Sequence, residues 1–251
     1  MQAKDIIVET ASDTRDIHMA SQWLADRITH HQMGQGQVFT VHDIFTLDKS
    51  DTLPIDYGNV SDMLLDNDLG FLIDKPQKTK GNTLRFGAFY PNRNLIYINR
   101  DLIKKGIPKL ASTIGHELRH ALDFMLSRGK PFRSKQQSSQ THDQYLRDPQ
   151  EINARFTQAM WAMAFDTIDK QPTNPQAALA LIDDCLVRLN LGRDMFPDGP
   201  KGDKRFNRLR SRAIRYWMQV ARFLRSEQVE DLPKPTLMSK LKSFILRFKL
   251  T

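Results

Sequence analysis

One cysteine, Cys185, stands in 251 residues. Neither a disulfide framework nor a thiolate zinc cluster can be built from it, and such sparing use fits a protein made in a reducing compartment. Glutamate is also scarce, with five residues: Glu9, Glu117, Glu151, Glu227 and Glu230. No apolar run approaches the roughly 20 residues that a membrane-spanning helix needs. The opening Met-Gln-Ala-Lys-Asp lacks the apolar stretch of a secretory signal. Internal repeats are absent as well, which excludes solenoids and propellers. The expectation is a soluble, cytoplasmic protein.

What is present is enough for a core. Hydrophobic residues make up 40% of the chain and include 14 Phe. The length permits one large domain, or a domain with an appendage. The net charge of +8 is uneven: from Pro200 onward there are 14 Lys/Arg against 4 Asp/Glu, and the rest of the chain is close to neutral. A basic C-terminal quarter points to an acidic partner, which could be an anionic membrane, an acidic protein surface or nucleic acid. Nucleic acid is the weakest of these as a main partner, because only the tail charge supports it.

Periodicity divides the chain further. Ile17, Ala20, Trp23, Leu24 and Ile28 recur at helical spacing over about 12–31, up to the glycines at 34 and 36. His30 and His31 close that helix and suit its negative end better than they suit a metal. Residues 37–80 read as short helices and loops. Leu84 to Tyr90 and Leu95 to Ile98 are strand-like runs joined by Pro91-Asn92-Arg93-Asn94, a hairpin signal. A helix from about Pro108 to Gly129 follows, then a polar loop over 134–144. A second helix opens at Asp148-Pro149, with Asp148 as its cap. Further helices are expected over 174–191 and 204–226, and a basic amphipathic segment over 237–250. The domain reading is 1–199 as the domain carrying the site, 200–232 as a basic helix packed on it or appended, and 233–251 as the basic amphipathic segment.

The most specific pattern lies inside the first long helix after the hairpin: His116-Glu117-Leu118-Arg119-His120. Histidines four apart project from one face of a helix, and two imidazoles so placed can bind one Zn²⁺ with the glutamate beside the open position. With seven His and five Glu in the chain, chance would give this pattern in fewer than about one such chain in a hundred. A catalytic zinc needs a third protein ligand. Three residues are candidates. Asp123 is on the same face, but its short side chain suits it better to orienting a ligand imidazole. His142 is in the polar loop. Glu151 is in the first turn of the following helix, where antiparallel packing would carry it to the metal.

The run Thr113 to Asp123 resembles the active-site helix of zincin metallopeptidases. Asp148-Pro149-Gln150-Glu151-Ile152-Asn153-Ala154-Arg155 resembles the glutamate-bearing helix of their gluzincin branch. The metzincin extension does not match, since Asp123 and Leu126 stand where it has Gly and His. The resemblance covers about 70 residues. It implies a mostly helical α+β fold with a small antiparallel sheet or hairpin beside the active-site helix. It also implies Zn²⁺ on His116, His120 and Glu151, with Glu117 as general base. The upstream hairpin is similar to the edge strand on which zincins bind extended substrate, which makes Phe86, Gly87, Ala88 and Phe89 the candidate substrate-binding residues. Tyr145 is the candidate oxyanion donor, with Arg155 behind it. The expected activity is zinc-dependent hydrolysis of protein or peptide substrates. The alternatives are a different zinc amide hydrolase, or an interaction module that binds an acidic partner or membrane through 204–251.

Overall fold

The computed structural model describes residues 11–33, 36–50, 52–53, 56–78, 84–127, 142–170 and 174–227. The chain divides into two compact units, residues 1–139 and 140–251.

The first unit is built on two long helices and a sheet. Helix α1 (Ala11–His30) buries Ile17, Ala20, Leu24 and Ile28, whose 3–4 spacing makes one apolar stripe. Helix α5 (Ile107–Leu126) answers with Leu110, Ile114, Leu118, Ala121 and Leu122. The two helices cross at Gly115, where a Cβ would stand only 3.0 Å from Ser21 Oγ. Pro108 sits in the first turn of α5, where its missing N–H costs nothing. α1 stops at His30 because Gln32 turns left-handed, at φ 48°, and the N–H of Met33 returns to Ile28 O. The stop therefore comes ahead of the glycines that the sequence pattern marks.

Between these helices run β1 (Val38–Phe39), α2 (Val41–Asp48), α3 (Asn59–Leu65), β2 (Gly70–Asp74), β3 (Gln77–Lys78), β4 (Leu84–Arg85), β5 (Gly87–Tyr90), β6 (Leu95–Asn99) and α4 (Asp101–Lys104). Four strands form a sheet in the order β1-β2-β6-β5, and β3 and β4 make a separate antiparallel pair. β5 and β6 are the expected hairpin, turning through a 3₁₀ step at Pro91–Arg93 with Asn94 left-handed at φ 45°. The sheet is mixed, because β2 runs parallel to β6. β6 is one of the two inner strands and all five of its residues are buried, as the unbroken Leu-Ile-Tyr-Ile run requires. Each Ile or Leu so buried contributes about 1.5–3 kcal/mol. β5 is one edge of the sheet and lies along α5.

The second unit is helical: α6 (His142–Leu146), α7 (Pro149–Lys170), α8 (Pro175–Arg188) and α9 (Gly199–Glu227). The α8 start is capped as its sequence suggests, with Asn174 Oδ1 accepting from the Ala177 N–H at 2.9 Å. Phe156, Met160 and Met163 of α7, Ile182 and Leu186 of α8, and Leu209, Ala213 and Val220 of α9 are buried. α9 starts earlier than its charge pattern suggests, since Pro200 fits the first turn of a helix. Part of its basic character is structural. Arg210 makes a forked ion pair with Asp183 at 2.6 and 2.9 Å, and Arg212 stacks 4.4 Å over the Phe156 ring. Segment 237–250, most of the loop 134–144 and the division 233–251 lie outside the described residues. Among the described residues no helix is long and apolar enough to cross a membrane. The fold class is α+β, mostly helical, with a small mixed sheet.

Candidate metal centre

His116 and His120 leave the same face of α5 one turn apart, and their Nε2 atoms stand 3.2 Å from each other. Two nitrogens that share one tetrahedral metal at about 2.0–2.1 Å are about 3.3 Å apart, so the spacing fits a shared ion. The rings meet edge to face, with centroids 4.8 Å apart. Both histidines are half-buried, whereas Glu117 between them in sequence is buried. A carboxylate so placed needs a reason, because burial disfavours its charge.

That reason lies partly in β5. A Cβ on Gly87 would come within 2.8 Å of Glu117 Oε1 and 2.9 Å of both Glu117 Cγ and Thr113 Cγ2. Glycine lets the strand press directly on the carboxylate and confine it. Ala88 follows it in the strand, half-buried, and Phe89 packs edge to face on Phe124 of α5 with centroids 5.8 Å apart. Phe86 just outside β5 is 41% exposed. Gly87 and Phe89 thus bring the edge strand onto the motif helix, with Ala88 between them and Phe86 just ahead of the strand.

Further along α5, Asp123 is buried, and its Oδ1 is 2.6 Å from Arg119 Nη2. The only sequence signal for this Arg119 pair is its i, i+4 spacing to Asp123. In the second unit Glu151 is buried in the first turn of α7, behind the Asp148 cap, whose Oδ1 accepts from the Gln150 N–H at 2.9 Å. Arg155 lies one turn on, with Nε 3.5 Å from Glu151 Oε1. It donates to the carbonyls of Asn190 at 2.7 Å, Leu189 at 3.2 Å and also Leu146. Burial pulls its pKa below the usual arginine value, and the Glu151 charge opposes that pull. Tyr145 is on α6 and 43% exposed. His142 opens α6, and its side chain lies outside the described residues.

Among the described residues, His116, His120 and Glu151 make up a group that could hold a metal ion. Two imidazoles and a carboxylate are donors that suit zinc. A second group of ligand-type side chains, Asp166, Asp184 and Cys185, is filled by a cation of the protein's own. Arg188 Nη2 is 2.5 Å from Asp166 and 3.0 Å from Cys185 Sγ, and its Nε is 3.0 Å from Asp184.

No family model, curated protein or solved structure matches this chain. The chemistry of the chain is carried by the donor set, the geometry around Glu117 and the edge of β5, which has no strand partner among the described residues.

Proposed function

We propose that this protein is a zinc-dependent metallopeptidase of the zincin type, with His116, His120 and Glu151 as the residues that would hold the metal. The observation that carries the reading is Glu117. A purely structural metal site needs no base, yet here a carboxylate is buried beside two ligand-spaced histidines and confined by an edge strand. Bound zinc supplies an acidified water and a polarised carbonyl. Glu117 accepts the proton from the attacking water and delivers it to the departing amine, serving as base and then as acid. β5 holds an extended peptide by main-chain hydrogen bonds, which fixes the scissile carbonyl with respect to Glu117. Arg155 orients Glu151 and anchors the start of α7. Tyr145 is the donor proposed for the developing oxyanion.

Metal analysis and proteolysis of a broad peptide library, applied to wild type and Glu117→Gln, test this reading. One zinc per chain is expected in both, with cleavage by the wild type alone. A wild-type protein that takes up no zinc from metal-containing buffer would overturn it.

The exposed basic residues of α9 support a second role. Lys201, Lys204, Arg208 and Arg215 face solvent at intervals of three, four and seven residues, which lines one face of the helix. We propose that this face and the basic segment 237–250 engage an anionic membrane. Co-sedimentation with anionic vesicles should fall when residues 236–251 are removed, and equal binding by both forms would dispose of the idea.

A further inference from the structure

β5 runs along α5. Gly87 lies on Thr113 and Glu117, and Phe89 lies on Phe124. One position before Gly87, the ring of Phe86 carries two ammonium groups: Lys105 Nζ at 4.7 Å and Lys109 Nζ at 5.9 Å from its centroid. Both lysines are exposed, and Lys104 beside them is exposed too. Among the described residues, no ion pair takes up any of the three. Lys109, Thr113 and Glu117 succeed one another at four-residue intervals, so they share a helix face. Lys109 therefore precedes Glu117 by about 12 Å along the axis.

The outer side of β5 has no strand partner among the described residues. A peptide added there would advance about 3.3 Å per residue. The lysines then lie opposite a substrate residue three to four positions from the bond that Glu117 serves. Two ammonium groups gathered over one ring favour a carboxylate at that position and repel a basic side chain. We infer that the site selects peptides bearing Asp or Glu three to four residues from the scissile bond, with Lys105 and Lys109 as the selecting residues. This rests on the peptidase reading for the bond, and on the edge strand for the register. Antiparallel pairing with β5 places the acidic residue C-terminal to the scissile bond, and parallel pairing places it N-terminal.

The test uses the full chain carrying Glu117→Gln, with fluorescent ten-residue peptides that differ only by Glu, Gln or Lys at the positions in question. Anisotropy should show Glu peptides bound about tenfold more tightly than Lys peptides at low salt, a size expected of two exposed charges. The ratio should shrink as salt rises. Adding Lys105→Glu and Lys109→Glu together should invert the order, an outcome that a damaged protein cannot produce. Should that double variant bind nothing, Lys105→Gln and Lys109→Gln taken singly must each reduce the preference. An unmodified preference in these variants, or none in the parent, overturns the inference. Wild-type cleavage of the same peptides separates the two readings. Acid-selective binding without cleavage sinks the peptidase and leaves the selection standing, and cleavage indifferent to charge does the reverse.

Discussion

Gly87 is the residue where backbone and chemistry meet. A methyl group there would stand within 2.8 Å of Glu117 Oε1 and 2.9 Å of Thr113 Cγ2, closer than packed atoms tolerate. Either Glu117 swings away or β5 lifts from α5. Both outcomes would displace the proposed base by a fraction of an ångström to an ångström, and a misplacement of that size costs up to about a hundredfold in rate. Gly87→Ala should therefore lose at least about tenfold in kcat while zinc content stays at one per chain. Unchanged turnover would mean that β5 does not confine Glu117. Cys185 tests the same scale from the opposite side. Burial pushes its thiol up to about 11, against a partial pull downward from Arg188. The reactive thiolate is then a minute fraction at pH 8, so alkylation of the native chain should be at least about a hundredfold slower than after denaturation. Because the pKa is raised, reactivity should climb steadily up to about pH 11. A fast native reaction at pH 8 would contradict the buried placement.

At the scale of elements, the second unit hangs on Arg155. Its guanidinium joins the end of α6, through Leu146, to the end of α8, through Leu189 and Asn190, and it stands beside Glu151 on its own helix. Arg155→Ala removes donors from four carbonyls, that of Glu151 included, and takes the guanidinium away from the buried Glu151 carboxylate. Such losses cost about 3–5 kcal/mol when a buried pair is broken. For a chain of this length that is a fall of roughly 6–20 °C in Tm. Arg155→Lys should recover little of it, since one ammonium cannot span a fork of carbonyls. A shift under 2 °C by scanning calorimetry would show that these carbonyls find other donors. Helix α8 and the β5–β6 hairpin were legible before folding because their signals are local. Asn174-Pro175 caps and starts the one, and Pro91 to Asn94 turns the other. The pairing of β2 with β6 was not legible. Phe71-Leu72-Ile73 is visibly apolar, but a parallel partner 25 residues away leaves no turn signature. The candidate site divides in the same way. His116, Glu117 and His120 follow from spacing within a single helix. The lysine pair over Phe86 depends on which strand lies along that helix, and only the four-residue step from Lys109 to Glu117 hinted at it. Arg155 stood in the sequence as a residue behind Tyr145, but its carbonyl partners at Leu146, Leu189 and Asn190 come from helix ends that no local pattern joins.

For the whole molecule, the proposed metal would be a folding ligand before it is a reagent. An ion that binds the native chain and not the unfolded one stabilises it by RT ln(1 + [L]/Kd), about 2.7 kcal/mol at a hundredfold excess over Kd. Across 251 residues that corresponds to roughly 5–11 °C in Tm. Chelator treatment should lower the melting temperature by this amount, and added zinc should restore it. His116→Ala with His120→Ala should abolish the response, while Glu117→Gln should keep it, because a base that does not ligate leaves the donor set intact. Glu151→Ala should keep part of the response, as two imidazoles still bind zinc but more weakly. Magnesium in place of zinc should give no shift, since nitrogen donors suit it poorly. The ordering among these variants separates ligands from base without any substrate. A chain whose melting point ignores chelator and zinc alike would show that the histidine pair is held by its own hydrogen bond rather than poised for an ion.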